Sequence, residues 1–84
     1  MDEKEIGAIA HYFGKIDVGI IELKDTLKIG DVIRVKGHAS DFTQDVSSMQ
    51  IEHAVVTEAK AGDMVGVKFS QKAHQHDTIY KVTA

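Results

Sequence analysis

Hydrophobic and polar residues alternate along most of the chain, which is the pattern of strands that bury one face. Between residues 31 and 36, the apolar Ile33 and Val35 alternate with the charged Arg34 and Lys36. Similar alternation or β-prone composition recurs in four further segments, 6–13, 18–23, 65–69 and 78–83. No segment carries an apolar stripe of 3.6-residue period long enough for an independent helix. The pattern therefore predicts an all-β fold.

The same alternation predicts which side chains form the core. Near the N-terminus it places Ile6, Ala8 and Ala10 on one face, continued by Tyr12, while Phe13 points outward. In the later strands, the residues predicted to line one core are Ile33, Val35, Val46, Met49, Val65, Val67 and Phe69.

The segment 42–52 changes phase in its middle. Phe42 and Val46 lie on one face of a strictly alternating strand, whereas Met49 and Ile51 lie on the other. A β-bulge at the two serines between them would keep all four residues inward and bend the strand around a barrel corner. An interruption by a loop would explain the same letters. We take the phase change to favour a small closed antiparallel β-barrel.

One motif occurs twice, 32 residues apart: K-x-G-D-x-(I/V)-x-V-K at 28–36 and again at 60–68. Glycine in this motif is expected to adopt a positive φ that ends a turn, and the aspartate to accept a backbone N–H. Two copies are too few for a solenoid. One turn type used twice is favoured over an ancestral duplication, although both explain the motif.

Length and composition limit what the chain can be. Its 84 residues predict a single domain, 1–84, and a 43% hydrophobic composition is typical of a folded protein. The absence of cysteine excludes a disulfide framework, a thiolate zinc site and a cysteine nucleophile. The N-terminus resembles no secretory signal, and no apolar run reaches the roughly 20 residues of a membrane span. We therefore expect a cytoplasmic protein without a membrane partner.

Three fragments occur in the order of a known signature: L-x-x-G-D-x-I-x-V from Leu27, V-x-S-M from Val46 and A-x-A-G-D-x-V-G-V from Ala59. Together they resemble domain 2 of the translational GTPases, the β-barrel module of elongation factor Tu, initiation factor 2 and the selenocysteine-specific factor. The resemblance covers residues 6 to about 83. The chain is also similar to small free-standing elongation-factor-like proteins, and to the C-terminal domain of some U32-family peptidases.

The resemblance implies a barrel of six or seven antiparallel strands and a non-catalytic binding module of translation-factor type. Its expected partners are tRNA, ribosomal RNA or a translation-associated protein. The alternative is an interaction adaptor for a separately encoded peptidase or RNA-modifying enzyme. The chain has no G-x-x-x-x-G-K-(S/T) phosphate loop, and its last strand lacks the R-G-x-V-L ending common in the large factors. We therefore expect no enzymatic activity, no nucleotide and no other cofactor.

The charge balance weighs against extensive phosphate binding, because the net charge is −3, although a local basic stripe is compatible with it. We place the candidate binding residues on one loop and the adjacent strand. An aromatic ring beside hydroxyls could stack a base, and two basic residues could meet a phosphate or an acidic partner. The alternative is that the phenylalanine is the first core residue of its strand. The candidates are Arg34, Lys36, His38, Asp41, Phe42, Thr43 and Gln44.

A second segment has the spacing of a metal site. His74 and His76 would share a face of a strand, and Asp77 would supply a third ligand. The segment also reads as a solvated loop, and that interpretation is favoured, so we expect no metal. Ser40 and the other serines carry no nucleophile motif such as G-x-S-x-G. We therefore expect no catalytic residues.

Overall fold

The computed structural model describes residues 2–83, which form ten β-strands and no helix. The strands are β1 (Asp2–Phe13), β2 (Val18–Leu23), β3 (Leu27–Lys28), β4 (Val32–Lys36), β5 (Asp41–Asp45), β6 (Met49–Ile51), β7 (Ala54–Val56), β8 (Glu58–Ala59), β9 (Met64–Lys68) and β10 (Thr78–Thr83). Over this part of the chain, nothing has the helical length and apolarity that crossing a bilayer would need.

Eight strands form one antiparallel sheet in the order β5-β4-β10-β1-β2-β9-β6-β7, and β3 pairs separately with β8. β5 and β7 are therefore the two edge strands of this sheet. However, β5 and β6 are consecutive, so that segment 41–51 pairs with β4 through its first half and with β9 through its second. The prediction of an all-β antiparallel domain is confirmed. Closure into a barrel of six or seven strands stays a prediction.

The phase change within residues 42–52 is a break between two strands. Residues 46–48 have no strand pairing. The backbone of Val46 bonds instead to the turn at Gly30 and Asp31 in the first copy of the repeated motif, which we call the first G-D turn. Its N–H donates to the Asp31 carbonyl at 2.8 Å, and its carbonyl accepts from Gly30 N–H at 2.9 Å. Val46 and Met49 are both buried. The interruption therefore does what a bulge would have done, since it keeps both apolar residues inward.

The core contains all seven residues predicted from the later strands, each less than 3% exposed. The N-terminal prediction is confirmed for Ile6 and Tyr12, which contact the core, and for the exposed Phe13. It is wrong for the alanines, because Ile9 is buried while Ala8 and Ala10 are partly exposed. β1 carries two irregularities, one between Glu5 and Gly7 against β10 and one between Ile9 and His11 against β2. Each inserts a residue and reverses the alternation of the side chains.

Asp2 and Thr83 lie opposite one another at the start of the β1–β10 ladder.

The two G-D turns have the same geometry. Gly30 and Gly62 have φ values of +92° and +93°, as a glycine at the third position of a type II turn requires. In each turn the aspartate carboxylate accepts the N–H of the lysine three residues before it, at 2.9 Å in both. The prediction for the two glycines and aspartates is confirmed. The strands β3 and β8 that precede the turns pair antiparallel, so the two turns leave from opposite ends of this short ladder.

Candidate interaction sites at one end and on one face of the sheet

Three connections meet at one end of the sheet. Lys36 at the end of β4 lies opposite Thr78 at the start of β10, and Val18 at the start of β2 lies opposite Lys68 at the end of β9. The loops that leave these strands are therefore neighbours. We call residues 14–17, 37–40 and 69–77 the loop end. Loops held by rigid strands are common positions for binding groups.

The two segments singled out in the sequence contact each other at the loop end. Ser40 is buried, and its Oγ lies 2.9 Å from Nδ1 of His74. The buried Asp77 accepts the His74 backbone N–H at 3.0 Å. A Cβ on Gly37 would overlap the Asp77 carboxylate, so glycine is required for this contact. The sequence placed 38–44 and 74–77 in separate hypotheses, and the fold joins them.

This cluster does not have the geometry of a Ser-His-Asp relay. Ser40 Oγ and Asp77 Oδ2 both approach Nδ1 of His74, at 2.9 Å and 3.9 Å. A relay needs the acid on one ring nitrogen and the nucleophile on the other. Within residues 2–83, no three histidine, aspartate or glutamate side chains are grouped closely enough to share a metal ion. The cluster fastens one loop to the other.

Arg34 is engaged by two carboxylates of the domain itself. Its Nε and Nη2 donate to the two Asp41 oxygens at 2.8 and 2.9 Å, and its Nη1 donates to Glu3 at 2.9 Å. These bonds raise the pKa of the guanidinium above its ordinary value, and the bond to Arg34 lowers the pKa of Asp41. The sequence suggested that Arg34 could contact an external phosphate. Such a phosphate would have to compete with the bidentate bond between Arg34 and Asp41.

The remaining loop candidates are divided between core and surface. Phe42 is 9% exposed and packs edge-on against Phe69 with 6.4 Å between ring centroids, which is the core alternative that the sequence left open. Lys36, His38 and Thr43 are exposed. The fold therefore offers hydroxyl, imidazole and ammonium groups at this loop, while the ring proposed for stacking is packed inside.

Gln44 lies on the same face of β5 as Phe42 and reaches across to β9. Its Nε2 donates to the Lys68 carbonyl at 2.9 Å, and its Oε1 accepts from the backbone N–H of Ser70 at 2.7 Å. Ser70 Oγ also donates to Oε1 at 3.0 Å. Sequence reasoning placed Gln44 in the candidate loop but gave no sign of this bridge, since the two segments are 26 residues apart.

A partly apolar surface that the sequence analysis did not identify lies on the outside of β1, β2, β9, β6 and β7. Ile20 lies opposite Gly66, Gly66 opposite Gln50, and Gln50 opposite Val55, so these residues form one row on the outer side. Val55 is 77% exposed. We call this surface the outer apolar face; its apolar members are Phe13, Val18, Ile20, Val55 and Met64.

Only Phe13 of this face was predicted to point outward, and it is 51% exposed. The signal for the rest lies in the run Val18-Gly-Ile-Ile, in which both alternating faces are apolar. Because Gly66 has no side chain, the Ile20 side chain can lie across it, and a Cβ placed on Gly66 would be 3.5 Å from Ile20 Cδ1. The glycine thus makes the outer face continuous between β2 and β6.

No family model matches the chain. It is 40% identical over 77 residues, 90% of its length, to an uncharacterized protease of Methanocaldococcus jannaschii, of which it spans 19%. The crystal structure of the C-terminal domain of a Geobacillus thermoleovorans U32 peptidase superposes with a TM-score of 0.88 at 16% identity, covering 95% of this chain and 93% of that one. Its selenomethionine variant gives 0.85 at 15% identity, covering 90% and 96%. The chain therefore has the fold of a U32 peptidase C-terminal domain and is similar in sequence to one part of a longer protease.

Proposed function

We propose that the chain is a non-catalytic interaction module that docks onto the body of a U32-type peptidase. The observation that carries the proposal is the 40% identity to a protease of which the matched region is only 19%. A segment of that size, folded as a separate C-terminal domain in a second peptidase, is an accessory unit rather than the whole enzyme. We propose that the module is a small closed barrel and that residues 41–51 complete its wall.

The outer apolar face is the proposed docking surface. Its five apolar side chains lie on one side of a small sheet, beside the polar His11, Glu22, Gln50 and Lys68 of the same cross-strand rows. Such a mixed composition is ordinary for a protein interface. Phe13, at the edge of the face, supplies an aromatic anchor of the type that is enriched at interfaces. The proposed occupant is the peptidase body, because in the M. jannaschii relative about four-fifths of the protein lies outside the matched region. Burial of this patch would supply the driving force.

Binding in trans tests the proposal. The M. jannaschii protease with its matching segment deleted is mixed with this chain, and the complex is measured by sedimentation and calorimetry. We expect a one-to-one complex that Val55→Asp weakens about tenfold or more, since a charge would be buried at the interface. The exposed Thr43→Asp on β5 is the matched control and should bind as wild type. Melting curves of both variants accompany the binding measurement, because Thr43 lies opposite Arg34 and the added carboxylate adjoins the Arg34–Asp41 pair.

Two results would contradict the proposal. One is the absence of a complex with the truncated protease at concentrations of about 100 µM, where even weak domain interfaces are occupied. The other is binding that Thr43→Asp abolishes and Val55→Asp spares, which would place the contact on the loop 38–44. Binding to tRNA that weakens steeply with salt would support the translation-factor alternative, since an apolar contact lacks that dependence.

A further inference from the structure

One edge of β9 lacks a backbone partner at its end. In the described ladders, β6 pairs with β9 at Met49 opposite Val67 and at Gln50 opposite Gly66, and the chain before Met49 turns away. On the other side, Phe69 N–H donates to the Asp17 carbonyl at 2.7 Å. Because backbone groups of successive residues point to opposite edges of a strand, those of Lys68 and Ser70 face β5 instead of β2.

The carboxamide of Gln44 bonds to this edge as a neighbouring strand would. It donates to the Lys68 carbonyl and accepts from the Ser70 N–H, two residues further along. A residue in a parallel strand pair makes the same two bonds with its own N–H and carbonyl. The two backbone groups of this edge are therefore satisfied, but by a single side chain that can rotate away without breaking any backbone ladder.

The space beside this edge is a cavity of about 320 Å³, lined by Gln44, Asp45, Ser47, Lys68, Phe69 and Ser70. Its two walls are strand edges, because β5 ends the sheet order and has a backbone partner on only one side. The side chains around the opening include one acid, Asp45, and one base, Lys68. Because their charges cancel, the opening favours neither an anionic nor a cationic ligand. Main-chain hydrogen bonds are therefore the main recognition element that the cavity offers.

We propose that this gap between β5 and the Lys68–Ser70 edge accepts an extended peptide segment by strand addition. The peptide main chain takes the two bonds that the Gln44 carboxamide makes and displaces it toward solvent. Strand addition of this kind reads the backbone first and the side chains second, so the site tolerates many sequences. The proposal goes beyond the docking function and uses different residues, so either can fail without the other.

A pair of matched peptides tests the site in the wild-type protein. The probe is Ac-KTVTVTK-NH2, and its control carries methyl groups on two adjacent central amide nitrogens, so that one blocked N–H faces the protein in either register. We expect the probe to shift the backbone amide of Ser70 and the side-chain amide of Gln44 in heteronuclear NMR spectra. The control should bind about tenfold more weakly. Equal binding of both peptides, or shifts confined to the β7 edge at 54–56, would overturn the proposal.

Substitution of the competing side chain gives a second, opposite-signed test. Gln44→Ala removes the internal competitor, so the probe should bind several-fold more tightly, although the variant itself will be less stable. Thr43→Ala, exposed on the same strand, should leave the affinity unchanged. Should Gln44→Ala not fold, Ser70→Ala removes one of the bonds that hold Gln44 but keeps the backbone N–H, and it should also tighten binding. A loss of affinity in the folded variants would show that Gln44 only seals the wall.

Discussion

At the residue scale, the pairing of Arg34 with Asp41 and Glu3 decides what the charged face of β4 can do. The arginine bridges β1 and β5, which are not adjacent in the sheet. An exposed pair contributes little to stability, but a bidentate arginine with two carboxylates is the geometry in which such pairs count most. The three charges therefore act as a surface clamp on the fold before they act as a binding site.

This clamp predicts a pH dependence. The pKa of Asp41 is lowered in the folded protein by its bond to Arg34, so its stabilising contribution is present at neutral pH and is lost as the pH falls through the folded pKa. Asp41→Asn should lower the melting temperature at pH 7, and the difference from wild type should shrink between about pH 5 and pH 2. Melting curves across this range measure it.

The matched control for the pH dependence removes the partner. In an Arg34→Gln background, Asp41→Asn should no longer alter the melting temperature in a pH-dependent way, because the bond that lowers the pKa is gone. A pH-dependent difference that persists without Arg34 would assign the effect to another group. Asp25, whose pKa is lowered mainly by Lys4, titrates in the same direction and is present in all four proteins.

At the element scale, the two G-D turns start β4 and β9 from a backbone conformation that a Cβ penalises. Nothing lies within 4 Å of a Cβ built on Gly62, so a side chain there meets only the strain of its positive φ. That strain is about 1–2 kcal/mol, and β-branching increases it. Gly62→Val should therefore lower the free energy of unfolding more than Gly14→Val, whose nearest contact is the Tyr12 ring at 3.9 Å. Urea titrations compare the two, and equal small losses would show that the turn is an ordinary loop.

At the scale of the whole molecule, stability depends on one small core. Val67 is fully buried in β9, with partners on β2 and β6. Val67→Ala should lower the free energy of unfolding by about 1–3 kcal/mol, a large part of what a domain of this size has. Val55→Ala is the matched control, because the same change on a side chain that is 77% exposed should cost less than about 0.5 kcal/mol. A similar loss for both variants would contradict the assigned core.

The sequence was sufficient where one local pattern decides the structure. The alternation of Val65 and Val67, and the glycine and aspartate of each G-D turn, depend on neighbours within a few residues. It was insufficient where a residue inserted in one strand is defined by its partner strand. The irregularities in β1 bury Ile9 in place of Ala8, and nothing in residues 6–13 alone shows them. The pairing of the two-residue strands β3 and β8 is also set by the fold around them.

For the candidate loop 37–44, too, the sequence was sufficient for the position in the fold and insufficient for the contacts of the side chains. Its place at the end of β4 could be predicted, because Gly37 ends an alternating run and polar residues follow it. What the side chains contact could not, since Arg34 meets Glu3 and Gln44 meets Ser70 across long sequence separations. The burial of Phe42 was one of two alternatives compatible with the sequence, and only its packing against Phe69 decides between them.

The pairing of Asp2 with Thr83 has a geometric consequence for any protein that carries this fold. The chain enters and leaves the domain at adjacent positions on one ladder, about one strand spacing apart. Both connections to a larger protein would therefore leave the domain at adjacent positions. The domain can be inserted into a surface loop of another protein without stretching either linker. A short tether could also join the two positions and allow the chain to be opened elsewhere, which makes the fold suited to circular permutation.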